Sequence, residues 1–246
     1  MYINNYGSNA NQEWKNAEIH DVESHINEDW EITMRLGFIR KVYGILSVQL
    51  LVTTLLCALS VVSKEYASFQ KQNPAFMWLS LIGSIIVMLA ICCVPSLGRS
   101  VPTNYILLGT FTIFEAYLVS AICASTKPEI VMLAAFCTCV VTLMLTFYAM
   151  TTKRDFTIYN TALFICVIVL LLFGLLATFT KIKLLMIIYS CLGVLIYSAY
   201  LVIDTQMLLG NKELSLGVDD YIYGALMLYI DIINLFLYLL KLFKWR

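Results

Sequence analysis

Three acids stand in or at the ends of long apolar runs: Glu115, Asp204 and Asp231. No Lys or Arg is embedded with them. A charged Asp at the centre of a membrane helix costs about 2.5–3.5 kcal/mol on an insertion scale. Such residues face a bundle interior or a water-filled path, and a functional role is the default expectation for them. Asp220, Gly224, Met227, Asp231, Asn234, Tyr238 and Lys241 follow alternating steps of four and three, which puts them on one helix face. Ser190, Gly193, Tyr197, Tyr200 and Asp204 form a similar stripe on the preceding helix. Facing stripes would bring Asp204 to Asp231. Two carboxylates in a low-dielectric site cannot both ionise easily, so one proton is shared. Protonated, they hydrogen-bond and close the helices together. Deprotonated, they repel each other or bind a hard cation through oxygen, as calcium prefers. The chemistry expected is a pH-gated cation path with Asp204 and Asp231 as sensor and transient calcium ligands. Glu115 and Asn234 are candidates for support. The competing reading is a packing role, each acid hydrogen-bonded to Tyr or Ser, worth only ~0.6 kcal/mol on average.

These residues need elements to hold them. Of the 246 residues, 61% are hydrophobic and 13% charged, against about 25% charged in a typical soluble domain. Uncharged apolar segments of about 20 residues are long enough for a ~30 Å hydrocarbon core. Seven spans are expected, about Val42–Val62, Ala75–Val94, Tyr105–Ala124, Glu129–Met150, Tyr159–Thr178, Leu184–Ile203 and Tyr221–Leu240. Pro74, Pro102 and Pro128 sit just ahead of three of them, where a missing N–H costs least. The loops are short, so neighbouring helices are antiparallel. The expected fold is all-α, a polytopic membrane bundle over residues 35–246 with the last helix central.

Residues 1–34 carry seven acids and little apolar periodicity, and read as a disordered, solvated tail. No cleavable signal peptide is expected, and the first helix would serve as an uncleaved anchor. With seven full spans, eight basic residues fall on each side of the membrane. If the last helix instead dips in and returns, Lys241, Lys244 and Arg246 change sides and the balance becomes eleven to five, favouring a cytosolic N-terminus. That count hints at a re-entrant last helix. Formal net charge is zero, so nothing argues for a nucleic-acid partner. Both histidines, His20 and His25, lie in the tail. The eight cysteines show no zinc spacing and read as small apolar residues. No cofactor and no enzymatic activity are expected.

Several runs carry a family resemblance. Phe38–Ile39–Arg40–Lys41–Val42–Tyr43–Gly44–Ile45–Leu46–Ser47–Val48–Gln49–Leu50 and Leu228–Tyr229–Ile230–Asp231–Ile232–Ile233–Asn234–Leu235–Phe236–Leu237 resemble the first-helix and C-terminal motifs of transmembrane Bax inhibitor motif proteins. Pro102–Thr103–Asn104–Tyr105, Phe114–Glu115–Ala116, Lys153–Arg154–Asp155–Phe156 and Val202–Ile203–Asp204–Thr205–Gln206 follow in order. The resemblance is greatest to the Golgi anti-apoptotic, or Lifeguard, branch. It implies a seven-helix bundle around the last helix, calcium leak from intracellular stores, protection from cell death and a Golgi or endoplasmic reticulum membrane. It carries the family's di-aspartyl pH sensor to Asp204 and Asp231. It makes Arg99 the nearest candidate for the basic residue that latches one aspartate in bacterial relatives, and maps an acidic loop to Asp219 and Asp220. Partners so implied are calcium, the lipid bilayer and membrane proteins of the cell-death machinery. A non-conducting regulator of apoptosis is the alternative. An aspartyl intramembrane protease is disfavoured, since its Gly-x-Gly-Asp and Pro-Ala-Leu segments are missing. The signatures of a seven-helix receptor are missing too.

Overall fold

A computed structural model describes the backbone of residues 6–210 and 212–245, with side chains from Trp30 onward apart from Pro95 and Asn211. Its helices are α1 (Tyr6–Val62), α2 (Lys64–Gln72), α3 (Pro74–Cys93), α4 (Pro95–Arg99), α5 (Thr103–Ala124), α6 (Pro128–Thr151), α7 (Asn160–Thr180), α8 (Lys183–Leu209) and α9 (Tyr221–Trp245). A single 3-10 turn, Thr157–Tyr159, precedes α7. Among the described residues there is no strand. Seven helical segments are long and apolar enough to cross a membrane, one of them residues Trp30–Val62 of α1. The all-α polytopic bundle expected from hydropathy is the architecture found.

Proline sets several helix starts. Pro74, Pro95 and Pro128 occupy the first turns of α3, α4 and α6, and Pro102 caps α5. At these positions the ring pre-sets φ and no intrahelical donor is lost.

The bounds differ from expectation at three places. The tail expected to be disordered is helical from Tyr6, continuous with the first span. No Pro occurs before Pro74 and no Gly between Gly7 and Gly37, so nothing in that stretch punctuates a helix. Residues 1–5 lie outside the described residues. Next, α8 runs six residues past Ile203, so Asp204 sits inside the helix rather than at its end. The first residue suited to stop it is Gly210, in the left-handed region at φ 76°, whose N–H donates to Gln206 O at 3.2 Å. Finally, α9 is one uninterrupted helix of 25 residues, about 37 Å at 1.5 Å per residue. The only Gly in it is Gly224 and it has no Pro, so there is no break at which the chain could turn back as a re-entrant segment.

Of the seven long helices, α9 is the most buried. It packs on α1, α5, α6 and α8, and touches α4. The outer helices α6 and α7 turn Phe136, Leu143, Phe147, Phe164, Leu172 and Phe179 outward, as a lipid-facing surface requires. Close approach of α8 to α9 depends on Gly193, against which the ring of Tyr238 lies. A Cβ there would fall inside the ring's van der Waals envelope. Gly193→Ala should therefore destabilise the bundle by about 1–3 kcal/mol, the usual cost of overpacking. A lowered Tm of the purified protein in detergent, with Gly37→Ala (open space around its Cβ) as the unaffected control, checks this.

Candidate functional site

The two polar stripes do face each other. Tyr238 of α9 stacks on Tyr197 of α8, with ring centroids 5.6 Å apart, and its hydroxyl lies 3.0 Å from that of Tyr189. Further along the same contact, the carboxyls of Asp204 and Asp231 meet within hydrogen-bonding reach. They are only 5% and 4% exposed. Asp204 Oδ1 and Asp231 Oδ2 are fully buried and have no hydrogen-bond partner among the described residues. Tyr197, Tyr200 and Tyr223 lie near them. A carboxylate is an acceptor only, so contact between two of them requires one to carry a proton and donate. The arrangement is a closed contact between two buried carboxyl groups.

The chain ends of α8 and α9 nearest this pair are fastened by polar clamps. Gln206 Nε2 donates to Arg154 O (2.9 Å), and its Oε1 accepts from Phe156 N–H (2.9 Å). Asp155 Oδ1 accepts from the N–H (2.9 Å) and hydroxyl (2.7 Å) of Thr157, while its Oδ2 accepts from Glu213 N–H (2.9 Å). Arg35 Nη1 donates to Leu216 O at 2.6 Å. Thus α1, the α6–α7 loop and the α8–α9 loop are tied at one end of the bundle. The amide of Glu213, then the Thr157 hydroxyl, hold the Asp155 carboxyl below the usual carboxylate range.

The remaining candidates distribute differently from the sequence expectation. Arg99 does not reach either embedded acid. It forms a two-pronged ion pair with Asp220, Nε to Oδ1 at 2.8 Å and Nη2 to Oδ2 at 3.1 Å. That pairing raises the Arg99 guanidinium above its ordinary value. Arg99 is fixed in the short α4, whose position over the loop before α9 offers the guanidinium a loop carboxylate rather than one within the span. Asp220 is thereby occupied, while Asp219 is exposed close to Arg99. Glu115 lies apart, half-buried between α5 and α3 against Ser84. Asn234 donates to Ile230 O of its own helix at 2.9 Å and lines a cavity further along α9. The pair itself therefore consists of Asp204 and Asp231.

Residues 35–246 match the family described as inhibitor of apoptosis-promoting Bax1. The chain is 37% identical over 215 residues to Protein LIFEGUARD 4 of Arabidopsis thaliana, covering 86% of this chain and 85% of that protein. It is 33% identical over 213 residues to human Protein lifeguard 3, covering 85% and 68% respectively. With the mouse Protein lifeguard 3 the identity is 30% over 243 residues, 97% of this chain and 77% of that one. The chain belongs to the Bax inhibitor family. As a member of that family it is a multi-pass integral membrane protein.

In this Bax inhibitor family chain, sequence reasoning missed the clamps. Lys41, for instance, sits over the Tyr221 ring 3.3 Å from its centroid, and Tyr221 in turn accepts from Asn104 Nδ2 at 3.0 Å. Asp155 and Gln206 both lie in runs that carry the resemblance, which was the available signal, but their spacing alone names no partner. The depressed Asp155 sets a sign for pH. Its contribution is fully present above the ordinary carboxylate range and is lost as pH falls through its lowered folded-state value. Amide-exchange protection at Glu213 should thus hold at neutral pH and fail in acid, below about pH 4. Asp155→Asn should reduce that protection already at neutral pH and flatten its acid dependence.

Proposed function

We propose that this chain is a pH-sensitive calcium leak of an intracellular membrane, Golgi or endoplasmic reticulum, that modulates store calcium and thereby restrains cell death. The observation that carries the reading is the Asp204–Asp231 contact between α8 and α9, nearly sealed and with an unpartnered oxygen on each carboxyl. Loss of the shared proton leaves two like charges in contact. Unit charges about 4 Å apart repel by on the order of 4 kcal/mol at an effective dielectric of about 20. Separation of α8 from α9, or capture of a cation between them, relieves that repulsion.

Calcium suits the donors because both are hard anionic oxygens, yet it takes about 6–8 oxygen ligands. Among the described residues no third His, Cys, Asp or Glu joins the pair to make a cluster. Water must complete the shell, so the ion is held loosely and passes on, as a leak requires. The cell-death part is supported by the family's description and by the relatives' names.

Purified protein reconstituted in liposomes loaded with a calcium dye tests this between about pH 6 and pH 8. Wild type should pass calcium in a pH-dependent manner. Asp231→Asn and Asp204→Asn should each abolish the pH dependence, with flux changed by about tenfold or more, because a neutral amide cannot supply the second charge. Equal flux, or equal silence, in all three proteins would overturn the channel reading and favour a non-conducting regulator acting through membrane-protein partners.

A further inference from the structure

The polar stripe of α9 continues past the acid pair to Asn234, Tyr238 and Lys241. There it borders a cavity of about 400 Å³ between α5, α8 and the end of α9. Two lysines, Lys241 and Lys244, line this cavity, and no acidic side chain does so among the described residues. Lys241 Nζ has no carboxylate partner there and lies 4.5 Å from the centroid of the Tyr189 ring. Lys244 Nζ reaches only Ser125 O, at a long 3.5 Å. Tyr189 and Tyr238 share one hydrogen bond between their hydroxyls, which leaves one hydroxyl hydrogen free to donate. Met186 and Leu237 give the same cavity an apolar wall.

Two cationic side chains, a spare hydroxyl donor and an apolar wall at the end of a membrane helix match a phosphate group with hydrocarbon attached. We propose that this cavity binds a phosphate anion, Lys241 and Lys244 contributing the charge and the Tyr189–Tyr238 pair a hydrogen bond. The apolar wall favours a phosphate carried by a membrane lipid, whose glycerol and first methylenes would lie along Met186 and Leu237. The cavity is distinct from the acid pair, so the site stands whether or not that pair conducts.

Native mass spectrometry of the full chain, exchanged between phosphatidylcholine and phosphatidic acid, provides the test. Wild type should retain phosphatidic acid in preference to phosphatidylcholine. Lys241→Gln with Lys244→Gln should reduce that preference by about thirtyfold, in line with two lysines at a membrane surface. Lys244→Gln alone, at an exposed position, should give a partial loss and guards against a misfolded double variant. Lys127→Gln, exposed at the same end but outside the cavity, should leave the preference intact, and Lys241→Arg with Lys244→Arg should largely retain it. A thermal-shift arm with inorganic phosphate distinguishes the source. A rise in Tm that needs both lysines, without lipid preference, supports the phosphate site with a soluble ligand. No lysine-dependent response to either probe overturns the proposal.

Discussion

A helix with a carboxyl at its middle cannot face lipid, and most of this bundle's arrangement follows from enclosing α9. Three polar groups on α9 each meet a partner on a different neighbour. Asp231 turns to Asp204 on α8, the Tyr229 hydroxyl lies 2.7 Å from Thr53 Oγ1 on α1, and Tyr221 accepts from Asn104 on α5. In a hydrocarbon surrounding an unsatisfied polar group costs several kcal/mol, so each contact fixes the rotation of α9 against one neighbour. Three contacts on three sides leave little freedom to turn. Apolar packing then fills in between, as with Phe111 set edge-on to Tyr229 at 6.0 Å.

The same polar economy extends through α1 and α5. Gln49 Nε2 donates to Thr112 Oγ1 at 2.9 Å, and Gln70 Nε2 donates to Ser120 Oγ at 2.8 Å. Ser60 Oγ completes that second link by donating to Gln70 Oε1 at 3.0 Å. Hydrogen bonds of this kind are modest individually, but they stitch α1, α2 and α5 into a wall on the side of α9 away from α8. One flank of α9 is thus held by side-chain bonds at several levels. The other flank, against α8, rests on stacked tyrosines, Gly193 and the acid pair. If the bundle opens anywhere along α9, the charge-sensitive contact lies on the flank with fewer neutral ties.

Periodicity carried much of this in the sequence. Asp204, Tyr197 and Gly193 on one helix, with Asp231 and Tyr238 on the next, were recognisable as facing stripes because helical spacing places them on single faces whatever the loops do. The partner of Arg99 was not recognisable. It depends on where a five-residue helix sets the guanidinium relative to the loop before α9, which no periodic pattern encodes. The clamps of Asp155, Gln206 and Arg35 escaped for the same reason, since each joins segments distant in sequence through loop backbone. The length of α8 was underestimated because hydropathy falls at Asp204, whereas the helix ends where its backbone can turn, at Gly210. Hydropathy marks where lipid ends, and helix ends obey capping.

The absence of a basic partner leaves the acid pair without a fixed counter-charge. Had Arg99 reached Asp204 or Asp231, the site would be a buried ion pair, charged on both sides and neutral in sum at every ordinary pH. Such pairs fix geometry and leave little for solution conditions to change. With Arg99 committed to Asp220, and no ion pair to either acid among the described residues, the charge of the site is set by what arrives there. Only a proton or a cation can neutralise it. In the proposed reading the choice between the two depends on pH and on cation concentration, and the packing of α8 on α9 would be tied to both through a single contact.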